Sequence, residues 1–319
     1  MVSSALLTDH YELTMLDAAL RDGTGQRRCV FEMFARSLPP GRRYGVVAGT
    51  QRWFEELANF RFTAEELAVL DDHNVVSKDT LRWLADFRFT GHIDGYHEGE
   101  LFFPNSPIMT VRGTFAEAVL LETLTLSIFN HDSAIAGAAA RMVQAAQGRM
   151  LLEFGSRRTH EQAAVAAARA AVMVGFDGTS NLEAGRRYQV PTLGTSAHAF
   201  TLIHDDEAKA FDAQVAALGH GTTLLIDTFD IPSGLDNAIR SAGARLGGIR
   251  IDSGDLAAEA RRARAQLDAA GLHDTKIVVS GDLDEYRIAA LRDAPIDGYG
   301  VGTSLVTGSG APAAGFVYK

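Results

Sequence analysis

The fold is decided by the stretch Gly247-Gly248-Ile249-Arg250-Ile251-Asp252-Ser253-Gly254-Asp255. Two glycines lead into an alternating apolar run that ends in Asp-Ser-Gly-Asp. This pattern predicts a buried strand that delivers Arg250, Asp252 and Asp255 to a loop at its carboxyl end. Carboxylates there can accept hydrogen bonds from sugar hydroxyls or hold Mg²⁺, and arginine can bind an anion through two parallel hydrogen bonds. The stretch therefore predicts a site for a ligand with phosphates and hydroxyls, although alone it also fits a solvated turn.

Similar strand-then-loop units flank this stretch at residues 224–228, 276–282 and 296–303. Helical patterns lie between the units, over Leu256–Ala270 and Asp284–Leu291. Strands that alternate with helices indicate a parallel sheet. Because the polar residues gather at strand carboxyl ends, the sequence predicts a (β/α) barrel with its site on that face.

Composition restricts the class of protein. The chain has 319 residues, 46% of them hydrophobic, and a formal net charge of −10, which argues against a nucleic-acid partner. A single cysteine, Cys29, excludes an intramolecular disulfide and a cysteine-based zinc cluster. The first seven residues lack the features of a signal peptide, and no apolar run approaches the about 20 residues of a membrane span. We therefore expect a cytoplasmic protein with no membrane partner.

The chain changes character near residue 110. Residues 1–110 hold both tryptophans and short strand-like pieces such as 28–34, which predicts an N-terminal α/β domain. Residues 111–319 hold the strand-then-loop units and are predicted to form the barrel. The chain stops at Phe316-Val317-Tyr318-Lys319, an apolar run that resembles the start of a strand, so we expect a C-terminally truncated protein.

An amphipathic helix is predicted over Glu117–Phe129, and alanine-rich helices are predicted over Ser133–Gln147 and Glu161–Val174. Between the first two lies the pair His131-Asp132, which we interpret as structural, with Asp132 or Ser133 as a helix N-cap.

Four further polar clusters are candidate binding loops. Gly155-Ser156-Arg157-Arg158 follows a strand and favours an anion, unless it is a solvated basic turn. The segment 176–181 is either a ligand loop or a simple Asp-Gly turn. His198 lies among small residues that leave it accessible, and neutral imidazole is a competent nucleophile, although a lone histidine is often structural. Gly300-Val301-Gly302-Thr303 offers backbone N–H groups and a hydroxyl to a phosphate.

Taken together, these motifs make the sequence resemble the nicotinate phosphoribosyltransferase family, and its actinobacterial form closely. The matching motifs lie in family order at residues 7–15, 154–158, 176–181, 194–198, 250–255, 280–283 and 300–303. Each motif is weak by itself, whereas seven in order over essentially the whole chain are highly specific.

The resemblance implies a type II phosphoribosyltransferase fold, in which an α/β N-terminal domain lies beside an irregular α/β barrel. It implies that nicotinate, 5-phosphoribosyl-1-pyrophosphate and ATP are converted to nicotinate mononucleotide, pyrophosphate, ADP and phosphate, the first step of NAD salvage from nicotinate. It also implies Mg²⁺ on the pyrophosphate and a homodimer whose active sites are completed across the interface.

The resemblance further implies roles for individual residues. His198 matches the histidine that is transiently phosphorylated, which couples ATP to the reaction. Arg250 is expected to face the ring carboxylate, and Asp252 to hold ribose hydroxyls. Tyr11 of the partner subunit and Phe154 are expected to stack on opposite faces of the pyridine ring.

The remaining implied contacts concern phosphate and substrate choice. Arg157 is expected to contact phosphate, and the 5′-phosphate is expected to be surrounded by Gly281, Asp282, Gly302 and Thr303. The related nicotinamide enzyme has an aspartate at the position of Ser180, so a serine there favours an acid substrate. The direct Mg²⁺ ligands are not implied by the resemblance.

This reaction agrees with the chemistry that the residues allow. Displacement of pyrophosphate passes through a cationic sugar, which calls for positive groups on the leaving group and aromatic faces around the nucleophile. No general base is needed, because the pyridine nitrogen carries no proton near neutral pH. The alternatives are nicotinamide or quinolinate as the substrate, a catalytically silent ligand-binding barrel, and an unrelated phosphate-binding barrel, which would leave Tyr11 and His198 unexplained.

Overall fold

The computed structural model describes residues 3–319. Its strands are, in chain order, β1 (Arg28–Ala35), β2 (Gly45–Val46), β3 (His92–Gly95), β4 (Leu101–Phe102), β5 (Met109–Thr114), β6 (Met150–Glu153), β7 (Gly178–Thr179), β8 (Thr223–Leu225), β9 (Gly248–Ile251), β10 (Lys276–Val279), β11 (Gly298–Val301) and β12 (Phe316–Tyr318).

The helices are, in chain order, α1 (His10–Asp22), α2 (Thr50–Ala58), α3 (Ala64–Asp72), α4 (Lys78–Ala85), α5 (Phe115–Val119), α6 (Glu122–Ala146), α7 (Glu161–Met173), α8 (Leu182–Tyr188), α9 (His198–Leu202), α10 (Glu207–Leu218), α11 (Ile231–Ala242), α12 (Leu256–Ala269), α13 (Glu285–Ala290) and α14 (Thr303–Val306). Within the described residues, none of these helices is both long and apolar enough to cross a membrane.

The chain divides into two compact units, Met1–Gly137 together with Ala311–Lys319, and Ala138–Gly310. The division lies inside α6, later than the boundary at residue 110 that composition predicts. It lies later because β5 pairs with β1 along six residues and α5 follows β5 directly, so both belong to the first unit. The second unit is therefore inserted into the first.

The first unit is built on an antiparallel sheet in the order β12-β1-β5-β3. The expected strand at the end of the chain is confirmed as β12, which pairs with β1. Its Tyr318 ring stacks on Phe31 with centroids 4.7 Å apart. Helices bury the apolar face of the unit around Trp53, whose indole N–H donates to Thr125 Oγ1 over 3.0 Å.

Helix α6 corrects one expectation. The sequence predicts two helices separated by His131-Asp132, whereas the structure has one continuous helix from Glu122 to Ala146. Asp132 is buried inside it and pairs with Arg52 at 3.1 Å and with His131 at 2.8 Å. The pair is structural as expected, but a buried ion pair takes the place of the predicted N-cap.

The second unit is built on a parallel sheet in the order β7-β6-β11-β10-β9-β8. Except for β7 and β8, each strand lies beside its neighbour in sequence, and the first strand, β6, pairs with the last, β11. This is the strand order of a closed barrel in which one pairing, between β7 and β8, is not made among the described strands. The predicted irregular (β/α) barrel with an N-terminal α/β domain is thus confirmed.

Candidate active site

A cavity of about 460 Å³ lies at the carboxyl ends of the parallel strands, inside the second unit. Loops after β6, β7, β9, β10 and β11 line it, together with the segment 194–197. The structure therefore brings together these predicted site residues: Phe154, Arg157, Ser180, Arg250, Asp252, Gly281, Asp282, Gly302 and Thr303. Ser156, Arg158, Thr195 and Ser280 also line the cavity.

An arginine and an aromatic ring form one wall. The guanidinium carbon of Arg250 lies 5.8 Å from the centroid of the Phe154 ring, within the range of a cation–π contact. The ring itself lies against Gly300, where a Cβ would come within 2.5 Å of two ring carbons. Only glycine at 300 thus leaves space for the ring in this position.

Arg250 is prepared to receive an anion. Its Nη1 donates to Thr195 Oγ1, and its Nε has no hydrogen-bond partner among the described residues. Burial lowers the pKa of Arg250, and the nearby carboxylates of Asp252 and Asp227 offset part of that effect. A partly buried guanidinium with an unused donor gains more from an entering carboxylate than an exposed one would.

The loops after β9 and β10 are packed backbone to backbone. Asp252 accepts a hydrogen bond from Ser280 Oγ. Gly281 has φ +107°, and a Cβ there would lie 2.5 Å from the carbonyl oxygen of Asp252. Asp282 is also left-handed at φ +50°, so the Ser280-Gly281-Asp282 turn depends on glycine at its centre.

His198 lies beside the cavity and begins α9. Its Nδ1 is 3.2 Å from Thr228 Oγ1, and its Nε2 is 3.9 Å from Asp227 Oδ1 and 4.0 Å from Asp252 Oδ2. The side chain is 41% exposed, so an incoming group can reach it. Because Nδ1 has a hydroxyl partner, Nε2 is the nitrogen available for chemistry.

Asp227 is a site residue that the sequence analysis did not select. Its side chain is buried, and Oδ2 accepts from the Asp252 backbone N–H at 2.8 Å and from Ser253 Oγ at 2.6 Å. Its Oδ1, the atom nearest His198, has no hydrogen-bond partner among the described residues. A signal was present, because the run 224–226 ends in this aspartate, but one carboxylate without glycines or arginines beside it carries little information.

Besides His198, two predicted site residues do not line this cavity. Asp255 is the N-cap of α12 and accepts from the backbone N–H groups of Ala257 and Ala258, both at 3.1 Å. Tyr11 lies on α1 in the first unit, with 46% of its surface exposed. Burial and then the charge of Glu122 raise the pKa of Tyr11 to about 12. Their substrate roles stay predictions.

Comparison with known proteins matches most of the chain to one family. The model of the nicotinate phosphoribosyltransferase (NAPRTase) N-terminal domain matches residues 6–130, and that of the NAPRTase family matches residues 150–317. Nicotinate phosphoribosyltransferase pncB1 of Mycobacterium tuberculosis is 63% identical over 99% of this chain and 72% of its own length. The nicotinate phosphoribosyltransferase of Bacillus subtilis is 43% identical over 99% of this chain and 66% of its own length.

Solved structures show the same fold. The human nicotinic acid phosphoribosyltransferase superposes with a TM-score of 0.84 at 26% identity, covering 98% of this chain and 74% of the human one. A chain described as nicotinate-nucleotide pyrophosphorylase from Pyrococcus furiosus superposes with a TM-score of 0.83 at 25% identity, covering 99% and 74%.

Proposed function

This chain belongs to the nicotinate phosphoribosyltransferase family, and on that premise we propose that it converts nicotinate, 5-phosphoribosyl-1-pyrophosphate and ATP to nicotinate mononucleotide, pyrophosphate, ADP and phosphate. The observation that carries the proposal is the cavity wall in which Arg250 lies over the Phe154 ring. An aromatic face beside a half-buried cation fits a planar aromatic acid. The reaction is the first step of NAD salvage from nicotinate and takes place in the cytoplasm.

Recognition of the acid follows from charge. The Arg250 guanidinium binds the ring carboxylate while Phe154 stacks on the pyridine face. Ser180 is neutral and lines the same cavity, so no carboxylate at that position repels nicotinate. Nicotinamide would leave Arg250 without an anion in a half-buried position, which disfavours it. Quinolinate carries a second carboxylate, and an assay of mononucleotide formation with a panel of substrates distinguishes it from nicotinate.

The transfer step needs charge stabilisation and no base. The pyridine nitrogen attacks the anomeric carbon with its own lone pair as the bond to pyrophosphate breaks, and positive charge develops on the ribose. Asp252 accepts from ribose hydroxyls, and Arg157 contacts phosphate. The 5′-phosphate is held by the turns that contain Gly281, Asp282, Gly302 and Thr303.

Mg²⁺ fits the carboxylates of this site. The ion commonly binds proteins through one or two carboxylates together with substrate phosphates. Asp252 lines the cavity, and the buried Oδ1 of Asp227 has no hydrogen-bond partner among the described residues. These two residues would hold the ion, which supplies positive charge to the departing pyrophosphate.

His198 couples ATP to this reaction. With the Nδ1–H donating to Thr228 Oγ1, the lone pair of Nε2 attacks the γ-phosphorus, and ADP leaves. Asp227 Oδ1 and Asp252 Oδ2 lie 3.9 and 4.0 Å from Nε2, which is about 1 Å beyond hydrogen-bond distance, so neither carboxylate engages this nitrogen directly. Water later removes the phosphate as inorganic phosphate.

The protein acts as a homodimer in which Tyr11 of one subunit stacks on the ring bound by the other. One observation supports this role. Tyr11 is 46% exposed on α1, and Leu7, just before the helix, and Met15 are exposed as well, so this part of the chain presents an apolar surface.

The proposal is tested by following mononucleotide formation from nicotinate and phosphoribosyl pyrophosphate, with and without ATP. We expect product from nicotinate, little from nicotinamide or quinolinate, and stimulation by ATP. His198→Ala should abolish nicotinate-dependent ATP hydrolysis and the acid-labile label left on the protein by γ-labelled ATP. Binding of the substrates without turnover would instead identify a silent barrel, and equal labelling of wild type and His198→Ala would remove His198 from the coupling.

A further inference from the structure

Glu153 is a buried carboxylate next to the cavity that the mechanism above does not use. It is the last residue of β6, its exposed surface is 0%, and it directly precedes Phe154. Among the described residues no cation pairs with it, and the groups that act on its ionisation are only Thr179 and Gly155. An unpaired carboxylate in such a place is costly and calls for an explanation.

The carboxylate joins two lining loops. One oxygen accepts from the backbone N–H of Gly155, and the other accepts from the hydroxyl of Thr179. The Glu153 carbonyl oxygen also accepts from the Ser180 backbone N–H at 2.9 Å. The loop that begins with Phe154 and the loop that contains Ser180 are therefore attached to one residue.

A third segment is connected through Thr179. Its backbone N–H donates to Pro191 and its carbonyl accepts from Leu193, both at 3.0 Å, which ties it to the strand-like piece leading into residues 194–197. The Thr179 hydroxyl, while donating to Glu153, accepts from the Asn181 N–H at 2.9 Å. The Gly155 N–H and the Thr179 O–H thus both donate to the Glu153 carboxylate.

We propose that Glu153 is a positioning residue that holds the loops of Phe154 and Ser180 and the segment 194–197 in a single arrangement. This inference rests on the proposed transferase function. The proposed role of Glu153 is to fix the distance between the Phe154 ring and Ser180. Phe154 follows Glu153 in the chain, and the Ser180 N–H donates to the Glu153 carbonyl oxygen.

The chemistry requires a carboxylate and not an amide. Both groups that reach the Glu153 side chain are donors, an N–H and an O–H, and a carboxylate accepts from both. A glutamine has one acceptor oxygen, so its NH₂ faces either the Gly155 N–H, with which it cannot bond, or the Thr179 hydroxyl, whose O–H then loses its acceptor in Glu153. In either case one of the two attachments is weakened although the shape of the side chain is unchanged.

Stability and activity should therefore separate. Burial raises the pKa of Glu153, so the folded protein disfavours the charged form, and stability from this group falls as pH rises through the raised value. Removing the charge relieves that cost. If Glu153 served only folding, its replacement would lower the stability and the activity of the enzyme together. Replacement of a positioning residue should lower the activity alone.

The test compares Glu153→Gln with wild type by steady-state kinetics and thermal unfolding. We expect kcat/KM for nicotinate to fall fivefold or more, with a rise in KM, while Tm falls by no more than about 3 °C or increases. A fall in kcat/KM of less than fivefold would overturn the proposal. A fall in Tm larger than about 3 °C alongside lost activity would also overturn it and leave Glu153 as a structural residue.

Thr179 provides the matched pair of variants if Glu153→Gln does not fold. Thr179→Val removes the hydroxyl that Glu153 accepts from, and Thr179→Ser keeps it. We expect Thr179→Val to reproduce the fivefold loss of kcat/KM and Thr179→Ser to keep a higher kcat/KM. Equal activity in the two variants would overturn the proposal.

Calorimetric titration of the same variants with phosphoribosyl pyrophosphate measures binding. A wild-type protein that binds phosphoribosyl pyrophosphate but makes no mononucleotide would contradict the proposed function. In that case, weaker binding by Thr179→Val than by Thr179→Ser would still support the positioning role of Glu153. Equal binding by the two variants would overturn it.

Discussion

Gly300→Ala is the sharpest perturbation of the site that the structure offers. An added Cβ would lie 2.5 Å from two carbons of the Phe154 ring and 3.2 Å from Ser280 Cβ. The backbone at 300 is not in the left-handed region, so alanine itself introduces no conformational strain there. The substitution therefore acts almost entirely by displacing the ring.

The size of the effect follows from these distances. Ordinary contact begins at 3.4 Å, so the ring must move by 3.4 − 2.5, which is 0.9 Å. Phe154 lines a cavity and can move into it, so the stability cost should lie at the lower end of the about 1–3 kcal/mol expected for overpacking. A misplacement of about 1 Å in a substrate-positioning group costs about 100-fold in rate. We expect a large loss of kcat/KM for nicotinate with a small loss of stability.

The assay is mononucleotide formation over a range of nicotinate concentrations, with thermal unfolding measured alongside. Gly221→Ala is the matched control, because a Cβ at 221 meets no atom within 4 Å and its φ is not left-handed. Adding Phe154→Leu to Gly300→Ala should restore Tm, since the smaller side chain relieves the clash. A Gly300→Ala enzyme with kcat/KM within threefold of wild type would refute the role of the Phe154 ring in binding nicotinate.

Three further predictions address other residues. Arg250→Lys should weaken nicotinate use by roughly 1–3 kcal/mol, because lysine loses the two-pronged geometry; unchanged kinetic constants would remove Arg250 from carboxylate recognition. Burial raises the pKa of Glu12 from 4.5 to about 7, so its contribution to stability is complete below about pH 4.5 and is lost as the pH rises through about 7, which amounts to about 3 kcal/mol. Urea unfolding from about pH 5 to 8 should therefore show a smaller loss of stability in Glu12→Gln than in wild type, and parallel curves would contradict this. Mixing inactive Tyr11→Ala with inactive His198→Ala should restore some activity after subunit exchange, and no recovery despite confirmed exchange would exclude a shared site.

The sequence predicted what short-range pattern determines. Alternation in 247–255 and the polar residues after each strand place Arg250, Asp252 and the glycine turns on one face of a parallel sheet, and the structure has them there. Local pattern is sufficient because all parallel strands deliver their carboxyl ends to the same edge.

Contacts between distant residues were the part that the sequence did not reveal. Asp132 resembles a helix cap until Arg52, 80 residues away, pairs with it inside α6. Asp227 resembles any strand-end aspartate until the Asp252 N–H reaches it. Asp255 shows the opposite difficulty, because an aspartate that follows a strand and precedes a helix satisfies the pattern of a ligand and of an N-cap equally well.

The pairing of β12 with β1 has a consequence for synthesis on the ribosome. Strand β1 emerges early, and its edge at Met33, Phe34 and Ala35 has no partner until residues 316–318 are made. Because the ribosome adds about 5–20 residues per second, synthesis of the roughly 280 intervening residues takes about 14–56 seconds, and this edge of β1 is unpaired for that time. An unpaired apolar edge favours association with other chains, so the nascent protein is most vulnerable to aggregation in this interval, before β12 is available.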